Sequence, residues 1–199
     1  AAYRAWIAAQ RAKAPAQGPR AQVARLLLDQ AALAADRIAA GDIRGALDTS
    51  LEINRLYPDH AYGWYLSSFV MKKAGRAREA LRAIDRALQL DPLPRYRLLR
   101  AQCLVQLGER AAAATEAAAL KEIRSGEAAL HADVGTLLYE TGDHTGALEH
   151  YTQAIELDGQ SAQYHYNRAA VHRDLGDVDA AGRDFDAAIA LRASDHEDY

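Results

Sequence analysis

Glycines recur at a nearly constant interval along this chain of 199 residues. Gly41, Gly75, Gly108, Gly142 and Gly176 follow one another at spacings of 34, 33, 34 and 34 residues. An interval of this length holds one supersecondary unit, which cannot bury its apolar face alone, so that consecutive units stack on one another. The period therefore predicts a repeat protein.

Alanines keep the same register as these glycines. An alanine stands five residues after each of them, at Ala46, Ala80, Ala113, Ala147 and Ala181. Small side chains at a fixed place are expected where two helices cross closely. The chain holds 45 alanines, nearly a quarter of its residues, with little Val, Ile or aromatic residue, which favours helix over sheet.

Each period is typical of a helix, a turn carrying the glycine, a second helix and a short link such as Tyr57-Pro58-Asp59. Glycine provides a left-handed or otherwise open backbone at the turn. The Asp or Glu that follows four of the five glycines suits the positive N-terminal end of the second helix. Proline ends a unit because it cannot continue a helix. The predicted units are 27–60, 61–93, 94–127, 128–161 and 162–195.

The pattern resembles the tetratricopeptide repeat family, whose unit of 34 residues is a helix–turn–helix with Trp, Leu, Gly, Tyr, Ala, Phe, Ala and Pro at set positions. The matching residues of the second, fourth and fifth units are Trp64, Ala80, Ala87 and Pro92, then Val134, Gly135, Ala147, Tyr151 and Ala154, then Ala169, Ala181, Phe185 and Ala188. The first and third units depart from the pattern, with Gln30 and Arg97 at the Trp position. The resemblance implies an all-α, right-handed α-solenoid of about five repeats.

The two ends of the chain are less regular. Residues 1–26 hold an Ala-rich helical stretch from Ala1 to Ala14 and a break at Pro15 to Pro19, and are expected to be a cap or a partial repeat. Residues 196–199 stand where a further helix would begin. Because stacked repeats need a terminal cap and none is visible, we expect a segment of a longer protein and possible self-association through this end.

In the family, the first helix of each repeat lines a concave groove that holds peptides or protein segments. That resemblance implies the groove residues Tyr62, Tyr65, Phe69, Lys72, Lys73, Arg95, Leu98, Gln102, Tyr139, Tyr166, Asn167 and Arg173. Tyrosine offers a large contact area and a hydrogen-bonding tip, which suits peptide binding. The alternative for any single tyrosine is that it packs against a neighbouring repeat.

Some relatives grip the C-terminal carboxylate of a chaperone with a clamp of Lys, Asn and Arg. Here Ala31, Ala35 and Leu66 stand at places that would hold the clamp. A chaperone tail is therefore not expected as the ligand.

Charge is unevenly distributed along the chain. Residues 1–127 carry 20 basic and 13 acidic side chains, a net +7, whereas residues 128–199 carry 4 and 14, a net −10. Such asymmetry can steer a bipolar partner or drive head-to-tail association, and the alternative is drift in the composition of solvated faces.

Catalytic and cofactor motifs are not visible in the sequence. It has no phosphate-binding loop, His-Glu-x-x-His helix or dinucleotide fingerprint. His131 and His165 fall at the Trp position of their repeats and are expected to pack between helices, as is Cys103. We therefore expect no enzymatic activity, no cofactor and no bound metal.

Three further expectations follow from charge and hydropathy. A net charge of −3 argues against nucleic acid as a partner, and no apolar run approaches the ~20 residues of a membrane span. With no visible leader, the default localisation is cytoplasmic. The family resemblance, for its part, implies a scaffold that binds a protein or peptide.

One alternative function stays open. Arg124-Ser125-Gly126 is similar to a phosphosulfate-binding loop of sulfotransferases, although it follows a predicted helix rather than a strand. The last repeat also resembles those that precede the catalytic domain in bacterial fusions of these repeats with sulfotransferases. The alternative is an N-terminal repeat region that presents substrate to a larger enzyme or mediates its assembly.

Overall fold

The computed structural model describes the backbone of residues 19–197 and the side chains of residues 25–193. Over this range the chain forms ten α-helices and no strand. They are α1 (Pro19–Ala39), α2 (Ile43–Leu56), α3 (Ala61–Lys73), α4 (Ala77–Leu90), α5 (Pro94–Gln106), α6 (Arg110–Leu120), α7 (Ala128–Thr141), α8 (His144–Leu157), α9 (Ala162–Asp174) and α10 (Val178–Glu197). The all-α prediction is confirmed.

The periodic glycines form the turns within the helix pairs. Gly142 caps α7 with a φ of +96°, in the left-handed region that side chains with a Cβ rarely adopt. The same turn recurs at Gly41, Gly75, Gly108 and Gly176, with φ between +75° and +83°. The left-handed turn expected from the period is confirmed.

Aspartate after the turn glycine caps the second helix. The Asp143 carboxylate accepts a hydrogen bond from the backbone N–H of Gly146 at 2.9 Å, and Asp42 accepts one from Gly45 at 2.8 Å. Glu109 stands at the N-cap of α6 as expected, but its side chain makes no such bond. The preferred capping residues have short side chains, and glutamate places its carboxylate one methylene farther from the backbone.

The chain divides into two compact units between Leu107 and Gly108. Each is larger than one predicted repeat, and from here on they are called the first unit and the second unit. In the first unit, α3 packs against α4 and α5, and the core is centred on Leu66, Val70 and Ile84, all fully buried. In the second unit, α7 packs against α8 and α9 against α10. Its core includes Val134 and Leu138.

The alanines five residues after each turn glycine are all buried, with exposed fractions of 0–4%. Each lies near the start of the second helix of a pair, where the two helices are joined by the turn. Burial of small side chains at these positions is what a close crossing of helices requires.

The helix bounds differ from the sequence-based expectation at both ends. Helix α1 starts at Pro19, eight residues before the predicted first unit, and α10 continues to Glu197, two residues past the predicted fifth unit. The helical stretch expected at Ala1 to Ala14 lies outside the described residues. The division into five repeats stays a proposal.

Gly63 allows α3 to approach α2. A Cβ at Gly63 would lie 2.7 Å from Cγ2 of Ile53 and 2.5 Å from Oδ1 of Asn54, both buried. Gly63→Ala should therefore lower the free energy of unfolding by about 1–3 kcal/mol, because the added methyl must displace packed atoms. Gly182→Ala is the control, since a Cβ there meets nothing within 4 Å. Urea unfolding of both variants checks the prediction, and equal stability would contradict it.

Candidate functional site

Three predicted groove residues of the first unit are buried. The exposed fractions of Tyr62, Tyr65 and Leu98 are 6%, 4% and 3%. Tyr65 stacks on Tyr96 with ring centroids 4.9 Å apart, and burial raises the pKa of the Tyr96 hydroxyl. These residues pack between helices and offer little surface to a ligand. For the two tyrosines, this agrees with the alternative prediction of packing against neighbouring repeats rather than lining a groove.

The other predicted residues of the first unit leave side chains at the surface. Lys72 Nζ donates a hydrogen bond to Oε1 of Gln102, which joins the end of α3 to α5. Lys73 Nζ lies 5.9 Å from the centroid of the Phe69 ring, in cation–π range. Arg95 lies half-buried in the first turn of α5. We call Phe69, Lys72, Lys73 and Gln102 the basic patch.

In the second unit, Tyr139 and Arg173 meet at one carboxylate. The Tyr139 hydroxyl donates to Oδ2 of Asp174, and Arg173 Nε donates to Oδ1 of the same group at 2.9 Å. The bond from Tyr139, with that from Arg173, lowers the pKa of the Asp174 carboxyl. The Asp174 carboxylate therefore stays charged at neutral pH and fixes both neighbours.

Tyr166 and Asn167 make other contacts on α9. Tyr166 is 50% exposed and meets the Phe185 ring edge-on at 5.5 Å between centroids. The Asn167 side-chain oxygen accepts a hydrogen bond from Gln163 at 2.7 Å. The Tyr139 and Arg173 side chains are thus brought together by the fold, whereas Tyr166 and Asn167 have separate neighbours.

Two histidines of the second unit face each other in its interior. His131 on α7 and His150 on α8 are 2% and 1% exposed, and their Nδ1 atoms lie 3.1 Å apart. Each Nε2 lies 3.0 Å from a backbone carbonyl oxygen, that of Ser125 for His131 and that of Lys121 for His150. Packing of His131 was expected, whereas His150 was missed.

A buried ion pair joins α9 to α10. Arg168 Nε and Nη2 each donate to the Asp184 carboxylate at 2.7 Å, and His165 Nδ1 lies 3.5 Å from the same group. Burial works to raise the pKa of Asp184, but the hydrogen bonds and charge of Arg168, with His165 adding, outweigh it and hold that pKa below its usual value. Sequence reasoning missed this pair too.

A cavity of about 460 Å³ opens beside the link between α6 and α7. Its lining includes Arg124, Ser125, Gly126, His131 and Gln153. The Oε1 atom of Gln153 is buried there without a hydrogen-bond partner. Arg124-Ser125-Gly126 follows a helix, which is not the strand-to-loop setting of the sulfotransferase motif.

Among the residues that the structure describes, no three His, Cys, Asp or Glu side chains lie together as a metal site would require. None of the helices in that part of the chain has the length and apolarity needed to cross a bilayer.

Three tetratricopeptide repeat family models match the chain, at residues 72–128, 135–176 and 162–195. The Hsp70-Hsp90 organizing protein of Triticum aestivum is 40% identical over 73 residues, 37% of this chain and 11% of that protein. The Arabidopsis thaliana Hsp70-Hsp90 organizing protein 2 is 34% identical over 67 residues, 34% of this chain and 12% of that protein. The matched segments thus span about an eighth of these relatives.

Solved structures share the fold at low sequence identity. MamA of Desulfovibrio magneticus RS-1 superposes with a TM-score of 0.65 at 16% identity, covering 84% of this chain and 96% of that one. YrrB, described as a TPR protein with an unusual peptide-binding site, gives 0.60 at 19% identity, covering 80% and 83%. Together with the family matches, these likenesses explain the periodic turns and paired helices. The chain belongs to the tetratricopeptide repeat family.

Proposed function

We propose that this chain is a protein-interaction module without catalytic activity of its own, and that the basic patch of its first unit contacts an extended acidic segment of a partner. Support comes from the family and from relatives whose names refer to organizing Hsp70 and Hsp90. YrrB, which shares the fold, has a peptide-binding site of its own.

The observation that carries the proposal is the arrangement of the basic patch. Lys72 is oriented by Gln102, and Lys73 lies over the Phe69 ring, so two cations and an aromatic ring belong to the last turns of α3. Residues 1–107 carry 17 basic and 9 acidic side chains, so the sequence of the first unit is basic, although the whole chain carries a net charge of −3. Phe69 supplies apolar contact, and the lysines supply charge complementarity.

A second contact surface is proposed on the second unit. Tyr139, Arg173 and Asp174 form a mutually oriented cluster at the ends of α7 and α9. Preorganised polar side chains lose less entropy on binding than mobile ones, which makes this cluster suitable for hydrogen bonding to a peptide. The chaperone-tail ligand is not part of the proposal, since apolar or small residues stand at the clamp positions Ala31, Ala35 and Leu66.

The alternative function, a repeat region that serves a larger enzyme, stays a prediction. It rests on the sulfotransferase-like motif Arg124-Ser125-Gly126 and on the resemblance of the last repeat to those that precede sulfotransferase domains. The motif, however, lies in a link that follows helix α6 rather than a strand. No observation of the described residues favours this alternative over the interaction module.

Selection of random 12-residue peptides displayed on phage tests the basic patch. The wild-type chain should enrich peptides rich in Asp and Glu, and Lys72→Glu/Lys73→Glu should weaken their binding by about tenfold or more, because each lost contact is replaced by repulsion. Fluorescence anisotropy of the synthesised peptides at 50 mM and 300 mM NaCl measures the effect.

Arg78→Glu/Arg82→Glu is the matched control, since it makes the same charge change at two residues of the neighbouring helix α4, outside the patch. If the control variant weakens binding as much as the patch variant, net charge rather than the patch is responsible. Selection of peptides without acidic residues would overturn the proposed ligand class.

A further inference from the structure

The histidine pair of the second unit poses a hydrogen-bonding problem. His131 and His150 present Nδ1 to each other at 3.1 Å, and each presents Nε2 to a carbonyl oxygen at 3.0 Å. A carbonyl oxygen accepts hydrogen bonds and cannot donate them, so each Nε2 must carry a hydrogen. If both rings are neutral, two lone pairs then face each other across the Nδ1 contact.

Equivalent residues in other repeats support this assignment of the hydrogens. Trp64, like His131, stands eleven residues before a turn glycine, and its indole Nε1–H donates to the carbonyl of Pro58, six residues earlier, at 2.8 Å. His165 Nε2 lies 3.3 Å from the carbonyl of Gly159, again six residues earlier. Because the indole nitrogen is only a donor, this position holds a ring N–H that donates to the preceding link.

We infer that His131 and His150 share a single proton between their Nδ1 atoms, and that this proton makes the joint between α7, α8 and the preceding link sensitive to pH. With one proton, one Nδ1 donates, the other accepts, and all four ring nitrogens are satisfied. If neither Nδ1 atom carries a proton, their two lone pairs face each other. If both carry one, two N–H groups and two positively charged rings face each other. The folded pair therefore holds one proton over a wider pH range than two independent histidines do.

The surroundings of the pair contain charges of both signs. Burial lowers the pKa of His150, the carbonyl of Lys121 and Glu149 favour its charged form, and His131 and Arg124 disfavour it. Other ionisable side chains on the packed elements include Arg110 and Glu116 on α6, Lys121, Glu122 and Glu127 in the link, Asp133 and Glu140 on α7, His144 and Glu156 on α8, and His165 and Arg168 on α9. Burial opposes the charged form of His150 at each protonation step, and the proximity of His131 adds to the cost of the second proton.

The two rings that share the proton bond to both ends of the link between α6 and α7. His150 bonds to Lys121, the C-cap of α6, and His131 bonds to Ser125, two residues before the N-cap of α7. When the proton is lost or a second one enters, the ring planes must separate or turn, and the two carbonyl bonds weaken with them. The link would then be released in mildly alkaline and in acidic solution.

The sign of the pH dependence follows from proton counts. Two unfolded histidines with a pKa of about 6.5 together bind close to two protons at pH 5 and close to none at pH 8, whereas the folded pair binds one. The contribution of the pair to stability is therefore largest near pH 6.5. Its unfolding constant should rise by up to about tenfold per pH unit towards either side.

Imidazole NMR of the full chain labelled with ¹⁵N-histidine is the direct test. At pH 6.5 and at pH 7.5 we expect both Nε2 atoms to be protonated and the two Nδ1 shifts to be intermediate between protonated and bare nitrogen. Bare Nδ1 atoms on both rings at these pH values, or an Nδ1–H tautomer with a bare Nε2, would overturn the inference. A change of these shifts on adding EDTA would also overturn it, since the pair would then hold a metal ion.

A variant copied from another repeat gives an independent test. In the second repeat, Trp64 and Ala83 occupy the places of His131 and His150, so His131→Trp/His150→Ala keeps the ring N–H and removes the proton. We expect the free energy of unfolding, measured with urea from pH 5 to pH 8, to differ most between wild type and this variant near pH 6.5. Parallel pH profiles would contradict the shared proton, and the NMR result decides the question if the variant does not fold.

Discussion

Replacing Arg168 by methionine should lower the free energy of unfolding of the second unit by about 3–5 kcal/mol. Arg168 donates two hydrogen bonds to Asp184 and a third, through Nη1, to the Thr152 hydroxyl at 3.1 Å. The Asp184 side chain is 9% exposed, so Arg168→Met leaves a buried carboxylate without its main partner. Methionine keeps much of the apolar stem, so that the loss reports on the uncompensated charge.

The controls separate this effect from loss of packing. Arg173→Met also removes an arginine from a carboxylate, but Arg173 is exposed, and we expect little change in stability. Arg168→Met/Asp184→Leu removes both charges and should recover most of the stability lost in the single variant. Urea unfolding at pH 7 measures all three variants, and equal losses for the Arg168 and Arg173 variants would contradict the expected role of burial.

Acid should affect the wild type and the Arg168 variant differently. Because the folded pKa of Asp184 is lowered, its contribution in the wild type is present above the usual value of 3.8 and is lost as pH falls through the folded pKa. In Arg168→Met, burial opposes the charged form of Asp184, so protonation of its carboxylate removes the free-energy cost of a buried charge. The stability difference between the two proteins should therefore shrink from pH 7 to about pH 4, and a constant difference would argue against this cause.

In the first unit, we expect Leu66→Ala to lower the free energy of unfolding most, by about 2–5 kcal/mol. Leu66 is fully buried in the core formed with Val70 and Ile84, and truncation leaves a cavity that packed helices fill only in part. Leu51→Ala is the control, because Leu51 on α2 is 43% exposed and its truncation should change stability little. The measurement is urea unfolding at pH 7, and similar losses for both variants would contradict the predicted core position.

The turns and helix crossings could be predicted from the sequence because local geometry determines them. A left-handed backbone favours glycine, and a close crossing favours alanine, so each leaves a mark at a fixed spacing, as at Gly142 and Ala147. The start of α1 leaves no comparable mark in the sequence. Pro19 was interpreted as part of a break, whereas proline is also favoured at the first position of a helix, where it loses no hydrogen bond.

The side-chain clusters could not be predicted in the same way. Tyr65 has an apolar ring and a polar tip, and its position on a helix is compatible with a groove or with stacking on Tyr96. The partner of His131 lies on another helix, so spacing within one helix does not reveal it. A usable signal did exist: His165 and Asp184 repeat the positions of His131 and His150 one period of 34 residues later, with polar residues at both places.

The hydrogen bond from Trp64 to Pro58 gives the protein a built-in optical reporter. The chain has two tryptophans, so Trp6→Phe leaves Trp64 as the single indole, anchored to the link before α3. Its emission should shift to the red when water replaces that carbonyl. Leu66→Ala should move this fluorescence transition and Arg168→Met should leave it nearly in place, so that the emission of Trp64 reports on the opening of the first unit.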